Sequence, residues 1–271
     1  MIILLILYYA LYSDNIALRH MKRFSMTALF LAVFLFSLFL SSCKSYQPAF
    51  NLENFYSDYN DKVDFVDSDS YTVLMPKNAD PLYTPEAGII FYPGGLVEYQ
   101  SYFPLLIKCA EKGIACYMVE MPLNFAFMDK KAGEKILSLH PEIKHWYMAG
   151  HSLGGAIAAS FLSSHINDFD GLILLAAYTT HDISDSGLQV LSIYGSNDGV
   201  LQMDNYQKNK ENLPPIGKGF TEIIIDGGNH AGFASYGPQE GDGEADISSE
   251  EQQAKTADEI CSWIFKSQEK R

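Results

Sequence analysis

Residues 145–159, HWYMAGHSLGGAIAA, combine a short apolar run, a Gly-x-Ser-x-Gly pentapeptide and a row of small residues. The run predicts a buried strand, and the small residues predict a helix that packs closely against it. A sharp turn between the two would push the hydroxyl of Ser152 clear of the backbone, as in a nucleophile elbow. The pentapeptide alone is a weak signal, so the flanking strand and helix carry this prediction.

The rest of the chain alternates short apolar runs with helix-period segments, a pattern typical of a mainly parallel sheet with helices on both faces. We therefore predict an α/β fold. Strands are expected at residues 62–66, 71–75, 88–92, 114–119, 145–149, 172–177, 190–194 and 222–225. A turn-type sequence joins the first two, which predicts a hairpin at the edge of the sheet.

Two helices and one short connection complete this prediction. Residues 99–112 have helical spacing, and Ser248 with Glu251 forms a capping box at the start of the last helix. The apolar face of that helix is expected to hold Ala254, Ala257, Ile260, Cys261, Ile264 and Phe265. The connection at residues 178–188 is too short for a usual covering crossover, so we predict no inserted cap domain.

A serine hydroxyl is a poor nucleophile until a base takes its proton, and the base needs an acid to fix its tautomer. Behind an elbow of this kind, the expected chain order is serine, acid, histidine. Asp198 and His230 each follow a predicted strand, so both should reach the edge of the sheet where Ser152 lies. Asp182 and Asp226 remain open as alternative acids.

The other histidines fit this role less well. His151 lies inside the elbow, where packing is the default role. Surface or capping roles are expected for His140, His145, His165 and His181, and His20 lies near the amino terminus.

The negative oxygen that forms when a carbonyl is attacked needs hydrogen-bond donors. The elbow would supply the amide of Leu153, and the glycine-rich loop after the strand at 88–92 would supply a second. We favour Gly95 as that donor, with Leu96 as the alternative. Phe125, Phe127 and Met128 are expected either to line an acyl pocket or to belong to the core.

Several segments together resemble the α/β-hydrolase superfamily, and within it the bacterial fold-5 or dienelactone-hydrolase-like group. They are FYPGG (91–95), MPLN (121–124), GHSLGG (150–155), GNHA (228–231) and YG (236–237). The resemblance covers residues 87 to about 264 and implies a triad of Ser152, Asp198 and His230. Two departures stand out: Pro93-Gly94 replaces the common His-Gly, and dienelactone hydrolase has cysteine where Ser152 stands, which speaks against dienelactones as substrates.

Composition limits the architecture and the partners. The 271 residues are enough for one catalytic-sized domain, and the net charge of -14 argues against nucleic acid as a partner. Cys109, Cys116 and Cys261 show no disulfide framework spacing, so buried free thiols are expected, with a bridge between Cys109 and Cys116 as the alternative.

The amino terminus predicts export. Apolar runs at residues 2–12 and 26–40 are both shorter than a typical membrane span, and Lys22 and Arg23 precede the second. Leu40-Ser41-Ser42-Cys43 resembles a bacterial lipobox, in which the cysteine receives the lipid. We therefore expect residues 1–20 to be a start-site artefact, 21–42 a lipoprotein signal peptide, 43–61 a tether and 62–271 the hydrolase domain. An uncleaved signal anchor is the alternative.

Together these features predict an exported serine hydrolase, anchored by lipid at Cys43 in a bacterial cell membrane or outer membrane. It would cleave acyl esters of small molecules through an acyl-enzyme, without a metal or organic cofactor. Thioesterase, peptidase or acyltransferase chemistry on the same triad, and a non-catalytic binding lipoprotein, are the alternatives. The acidic segment at residues 241–246 lacks the spacing of a calcium loop, and we expect it to be a solvated turn.

Overall fold

The structure, a computed structural model, describes residues 45–78, 80 and 83–269. Within these residues one sheet has eight strands, in the order β1-β2-β4-β3-β5-β6-β7-β8. The strands are β1 (Val63–Asp67), β2 (Tyr71–Pro76), β3 (Ala87–Tyr92), β4 (Ala115–Val119), β5 (His145–His151), β6 (Gly171–Leu175), β7 (Gln189–Gly195) and β8 (Phe220–Ile225).

The pairing of the strands confirms a mainly parallel sheet with a hairpin at one edge. β1 pairs antiparallel with β2, and β2 pairs antiparallel with β4. All the other neighbours, from β4 through β3 to β8, are parallel. The strand order reverses at β3, and in open parallel sheets a crevice at such a point is where ligands bind.

Helices cover both faces of the sheet. They are α1 (Leu52–Tyr59), α2 (Phe103–Ala110), α3 (Ala132–Leu139), α4 (Leu153–Leu162), α5 (Met203–Asn209) and α6 (Ser249–Gln268). Alternate strand residues serve the two cores: Ile89 and Phe91 pack with α2 and α6, whereas Ile90 and Tyr92 pack with α3 and α4. The described segment 176–188 between β6 and β7 contains no helix, as expected for a fold without an inserted cap.

The last helix begins as predicted and buries most of the predicted apolar face: Ala257, Ile260, Cys261 and Ile264. The Ser248 hydroxyl accepts a hydrogen bond from the Glu251 backbone N–H at 3.1 Å. Phe265, expected in the core, is 39% exposed, whereas the polar residues Gln252 and Gln253 are buried. The buried glutamines are hydrogen-bonded to loop residues 229–235, which explains why they are inside.

The described part of the predicted tether, residues 45–61, is folded against the domain, contrary to our expectation of a spacer. The Tyr46 N–H donates to the Leu96 carbonyl at 2.7 Å, and α1 follows. Phe55 and Tyr56 pack against Phe65 and Phe103. The interleaved aromatic residues account for this packing, since together they bury apolar area. Residues 1–44, with the predicted signal peptide and Cys43, lie outside the described residues.

Cys109, Cys116 and Cys261 are free and buried, as expected, and the alternative Cys109–Cys116 bridge is absent. Hydrogen bonding to Cys109, together with burial, raises the pKa of the Cys261 thiol well above its ordinary value. The Cys109 thiol also has a raised pKa, first because of its hydrogen bond with Cys116. Protonated thiols of this kind are inert core groups. No helix in residues 45–78 or 83–269 has the length and apolarity that crossing a bilayer requires.

Candidate active site

The sharp turn at Ser152 joins β5 to α4. Ser152 has φ 52° and ψ -126°, a strained conformation for a residue with a side chain. Glycines make the turn possible: a β-carbon at residue 154 would lie 2.2 Å from the Pro93 carbonyl oxygen. One at residue 150 would lie 2.7 Å from the Gly154 backbone. The elbow therefore packs its backbone directly against the loop that follows β3.

Asp198 and His230 form a buried acid–base pair. Asp198 Oδ2 lies 2.9 Å from His230 Nδ1, and the two side chains are 1% and 2% exposed. The other carboxylate oxygen accepts the backbone N–H groups of Val200, at 2.9 Å, and Leu201, at 2.7 Å. These bonds hold the carboxylate toward the imidazole, so Nδ1 carries the proton and Nε2 is left as the basic nitrogen.

The alternative acids do not reach His230. The Asp182 carboxylate is bonded to the N–H and hydroxyl of Ser184 within its own loop. Asp226 is exposed. The other described histidines bond elsewhere: His140 to Glu142, His145 to Asp170, His165 to Phe161 and His181 to Ser160.

Ser152 and His230 line one pocket of about 190 Å³. His230 Nε2 is buried and has no hydrogen-bond partner among the described residues, so the Ser152 hydroxyl is not bonded to it here. Both groups therefore face the same small space. Its walls are mostly small or apolar side chains: Leu153, Ala156, Ala176, Ala177, Val200 and Leu201, with Tyr178 and Gln202 as the polar members.

Asp242 is a residue of this site that the sequence did not reveal. Its carboxylate accepts the backbone N–H groups of Gly199 and His230, both at 3.1 Å. It also accepts those of Ala231, at 2.8 Å, and Gly243, at 2.8 Å. Gly241, Glu244 and Asp246 are exposed, as expected for a solvated turn, but the bonds of Asp242 also make the segment a link between the loops that carry Asp198 and His230.

The loop after β3 lies beside Ser152. The Leu96 N–H donates to the Asn124 carbonyl at 2.8 Å, so this amide is engaged within the protein. The Gly94 N–H donates to the Tyr102 hydroxyl at 2.9 Å. Gly95 lies against the side chain of Leu153, because a β-carbon on it would come within 3.0 Å of Leu153 Cδ2. Of the two candidate donors, the geometry leaves Gly95.

Tyr102 connects this loop to the elbow. Its hydroxyl lies 2.8 Å from His151 Nδ1 and is fully buried. Burial, and then the neighbouring His230, hold the pKa of His151 well below its ordinary value. Burial also raises the pKa of Tyr102 above its ordinary value. Both side chains are therefore neutral, and they hold the loop at Gly94 against the end of β5, next to Ser152.

Backbone strain concentrates around this crevice. Among the described residues, the non-glycine positions with positive φ are Leu96, Leu123, Asn124, Ser152 and Ala176. Each follows the carboxyl end of β3, β4, β5 or β6. Strained conformations persist where the surrounding structure enforces them, and they cluster at functional sites.

A profile of the alpha/beta hydrolase family matches residues 88–254, more than half of the chain. The chain belongs to this family. The matched region contains Ser152, Asp198, His230 and Asp242. No protein of curated function is similar enough in sequence to match.

Solved α/β hydrolases share the fold of this family member. A predicted CIB-like hydrolase from Thermoplasma acidophilum has 15% identity and a TM-score of 0.52, covering 74% of this chain and 98% of its own. Est1E from Butyrivibrio proteoclasticus has 13% identity and a TM-score of 0.54, covering 76% and 98%. An alpha/beta hydrolase enzyme from the metagenome of Mar Chica lagoon sediments, Morocco, has 13% identity and a TM-score of 0.55, covering 75% and 98%. At this identity, the likeness is one of fold.

Two of the side chains expected either in an acyl pocket or in the core have neither position in this α/β hydrolase. Phe127 and Met128 are 53% and 51% exposed, so they neither belong to the core nor line the pocket at Ser152. Within the described part of the chain, no group of three or more His, Cys, Asp or Glu side chains is arranged to hold a metal ion.

Proposed function

We propose that this α/β hydrolase is an exported, lipid-anchored serine hydrolase that cleaves acyl esters. Ser152 is the nucleophile, His230 the general base and Asp198 the residue that orients it. The observation that carries the proposal is the buried Asp198–His230 pair: its imidazole lines the same pocket as Ser152, and its Nε2 has no hydrogen-bond partner among the described residues. A base that is oriented by a carboxylate and exposed to a nucleophile is the arrangement that activates a hydroxyl.

In the first step the Ser152 oxygen attacks the ester carbonyl while His230 Nε2 takes the hydroxyl proton. Catalytic hydrogen bonds are often long before substrate binds, so the contact between the Ser152 hydroxyl and His230 Nε2 forms as the ester binds. The amides of Leu153 and Gly95 hold the negative oxygen of the tetrahedral intermediate. His230 then gives its proton to the leaving alkoxide, and the acyl group stays on Ser152.

In the second step a water molecule attacks the acyl-enzyme. His230 takes a proton from the water, the intermediate collapses, and the proton returns to the Ser152 oxygen as the acid leaves. The Asp198 carboxylate stabilises the imidazolium formed in both steps. The Tyr102–His151 pair has a positioning role, because it holds in place the loop that supplies Gly95.

Export and lipid anchoring belong to the proposal because of the amino-terminal sequence. Lys22 and Arg23, the apolar run at 26–40 and the lipobox-like Leu40 to Cys43 support both. The multiple acyl chains of a bacterial lipoprotein hold a protein stably at a membrane, whereas one chain does so only marginally.

Ester hydrolysis by the purified full chain tests the proposal. A panel of acyl esters, thioesters and peptides should give turnover with esters, and Ser152→Ala should lower kcat by roughly 10⁴-fold or more. Ser160→Ala is the matched control, because Ser160 lies on the same helix and bonds to His181 outside the pocket. Faster turnover of thioesters or peptides than of esters would show that the enzyme is a thioesterase or a peptidase and not an esterase. Ester turnover that survives Ser152→Ala would exclude the proposed nucleophile.

A further inference from the structure

An apolar surface lies beside the proposed nucleophile. We call it the entrance surface and define it as Leu123, Phe125, Phe127, Met128 and Leu153. Leu123 is 59% exposed, and Phe127, Met128 and Leu153 are exposed as well. Most protein surfaces carry scattered apolar side chains, but a contiguous apolar patch beside a functional crevice marks a binding surface.

The entrance surface is continuous with the reaction site. A β-carbon at Gly95 would lie 3.0 Å from Leu153 Cδ2 and 3.7 Å from Phe125 Cε1, so both side chains flank the proposed oxyanion loop. The rings of Phe125 and Phe127 are 5.0 Å apart. A group bound at Ser152 therefore meets apolar side chains as soon as it leaves the pocket.

The backbone holds this surface in place at a cost. Leu123 has φ 54° and ψ 23°, which L-residues other than Asn, Asp and Gly seldom adopt. An exposed leucine gains little from burial in return for that strain. The next residue, Asn124, accepts the Leu96 N–H, so the strained turn is attached to the oxyanion loop. The strained backbone at Leu123 therefore keeps this turn next to the oxyanion loop.

The pocket at Ser152 is too small to enclose a large substrate. Its volume of about 190 Å³ is below the range of roughly 300–1,000 Å³ that encloses a drug-sized ligand. The larger part of any sizeable substrate must therefore lie outside it. The apolar side chains around the opening favour a long, uncharged hydrocarbon group there.

The first described residues connect the same loop to the predicted lipid attachment. Tyr46 donates its N–H to the Leu96 carbonyl and accepts the Glu98 N–H at 3.0 Å. Two residues, Lys44 and Ser45, separate Tyr46 from Cys43, so the two Cα atoms are at most about 11 Å apart. A lipid on Cys43 would thus tether to the membrane the segment that pairs with the loop after β3.

We propose that the substrate is a long-chain acyl ester held in a membrane, and that its acyl chain lies on the entrance surface during hydrolysis. The inference rests on the proposed function and adds the substrate class. It also explains why Leu123, Phe127 and Met128 are exposed to solvent and not folded into the core.

A comparison of two fluorogenic esters tests this inference. The full-length protein is given the butanoate and the dodecanoate ester of 4-methylumbelliferone in the presence of phosphatidylcholine vesicles. The measured quantity is the ratio of kcat/KM for the dodecanoate to that for the butanoate. Because every variant is measured with the same vesicles, partitioning of the esters cancels when these ratios are compared.

The ratio should exceed one in the wild type and fall about tenfold in the double variant Leu123→Ser/Phe127→Ser, through loss of apolar contact. Ile216→Ser is the control, since Ile216 is 69% exposed and lies away from the pocket at Ser152. Both changes affect exposed side chains, so the core stays intact. An equal ratio in all three proteins overturns the inference and leaves the proposed function standing. A wild type that cleaves neither ester overturns both.

Discussion

At the residue scale, Asp198 is held in place by its own loop. One carboxylate oxygen accepts the N–H groups of Val200 and Leu201, which leaves the other for His230 Nδ1. The Asp182 carboxylate accepts hydrogen bonds from the N–H and the hydroxyl of Ser184, and Asp226 is exposed. The three acids that the sequence offers are therefore distinguished by their hydrogen bonds.

Replacing Asp198 by asparagine should change the tautomer of His230. The amide can donate to Nδ1, which moves the ring proton to Nε2 and removes the base. We expect kcat to fall roughly 10³- to 10⁴-fold with a small change in KM. Steady-state ester kinetics measure this effect, with Asp182→Asn as the matched control. If Asp182→Asn lowers kcat by this amount and Asp198→Asn leaves kcat unchanged, the acid is Asp182 and not Asp198.

The sequence was sufficient to select the candidate catalytic residues, but it did not reveal the residues that hold their loops in place. Ser152, Asp198 and His230 could be chosen because each follows a strand whose carboxyl end lies at one edge of the sheet. Asp242 could not be chosen, because three of its four partners are backbone N–H groups more than ten residues away. A carboxylate that serves only backbone donors leaves no periodic or motif signal in the chain.

At the element scale, three loops at the edge of the sheet are joined by close backbone-to-backbone contacts. A β-carbon on Gly243 would lie 1.9 Å from the Asn197 carbonyl oxygen, and one on Gly195 would lie 2.3 Å from Gly228. The Asn197 side chain also donates to the Glu244 carbonyl. The loops after β7 and β8 and the segment at 241–246 therefore form one unit.

Asp242→Asn should loosen that unit. An amide has one acceptor oxygen in place of two, so at least one of the bonds to Gly199, His230, Ala231 and Gly243 is lost or weakened. We expect kcat to fall about tenfold or more, equivalent to about 1.4 kcal/mol in the barrier, with KM little changed.

Asp226→Asn is the control for this prediction, because Asp226 is an exposed acid in the loop that carries His230. It should keep wild-type kinetics. A parallel loss of activity in both variants would mean that charge near the site matters, not the bonds of Asp242.

The strands could be predicted more precisely than the connections. All eight predicted strands exist, and their bounds differ by at most two residues, since buried apolar runs dominate the pattern. The predicted helix at 99–112 begins as a 3-10 turn at Tyr99–Tyr102 and becomes α2 only from Phe103. Pro104 in the first turn explains that start, because proline fits the first helical positions and not the interior.

At the scale of the whole molecule, the folded state depends on a neutral histidine beside the site. His151 is 1% exposed and is surrounded by Tyr102, His230 and Phe233. Burial holds its pKa below the ordinary value, so the unfolded chain binds a proton that the folded chain does not. The free energy of unfolding must therefore fall as the pH drops below about 6.5.

The slope from this residue should approach about 1.4 kcal/mol per pH unit between about pH 6.5 and the lowered pKa of His151. Urea denaturation between about pH 7 and about pH 5 measures it as the difference between wild type and His151→Gln. His181→Gln, at an exposed histidine, should retain the wild-type slope. Parallel curves for wild type and His151→Gln would show that His151 takes up its proton equally in both states.

The packing of residues 45–61 onto the domain could not be predicted from the sequence. Residues 45–61 have no clear apolar period, yet Tyr46, Phe55 and Tyr56 pack onto the domain. Their partners lie on β1, α2 and the loop after β3, so the contacts are long-range. Local pattern alone does not reveal a segment that folds only against a completed sheet.

Covalent labelling tests most directly whether Ser152 carries the hydroxyl that His230 activates. The full chain is treated with a fluorophosphonate, digested and analysed by peptide mass spectrometry. We predict one label per chain on the peptide that contains Ser152, and loss of labelling in His230→Ala. A folded wild type without label, as expected for a binding lipoprotein, or a label on another residue, would contradict the account.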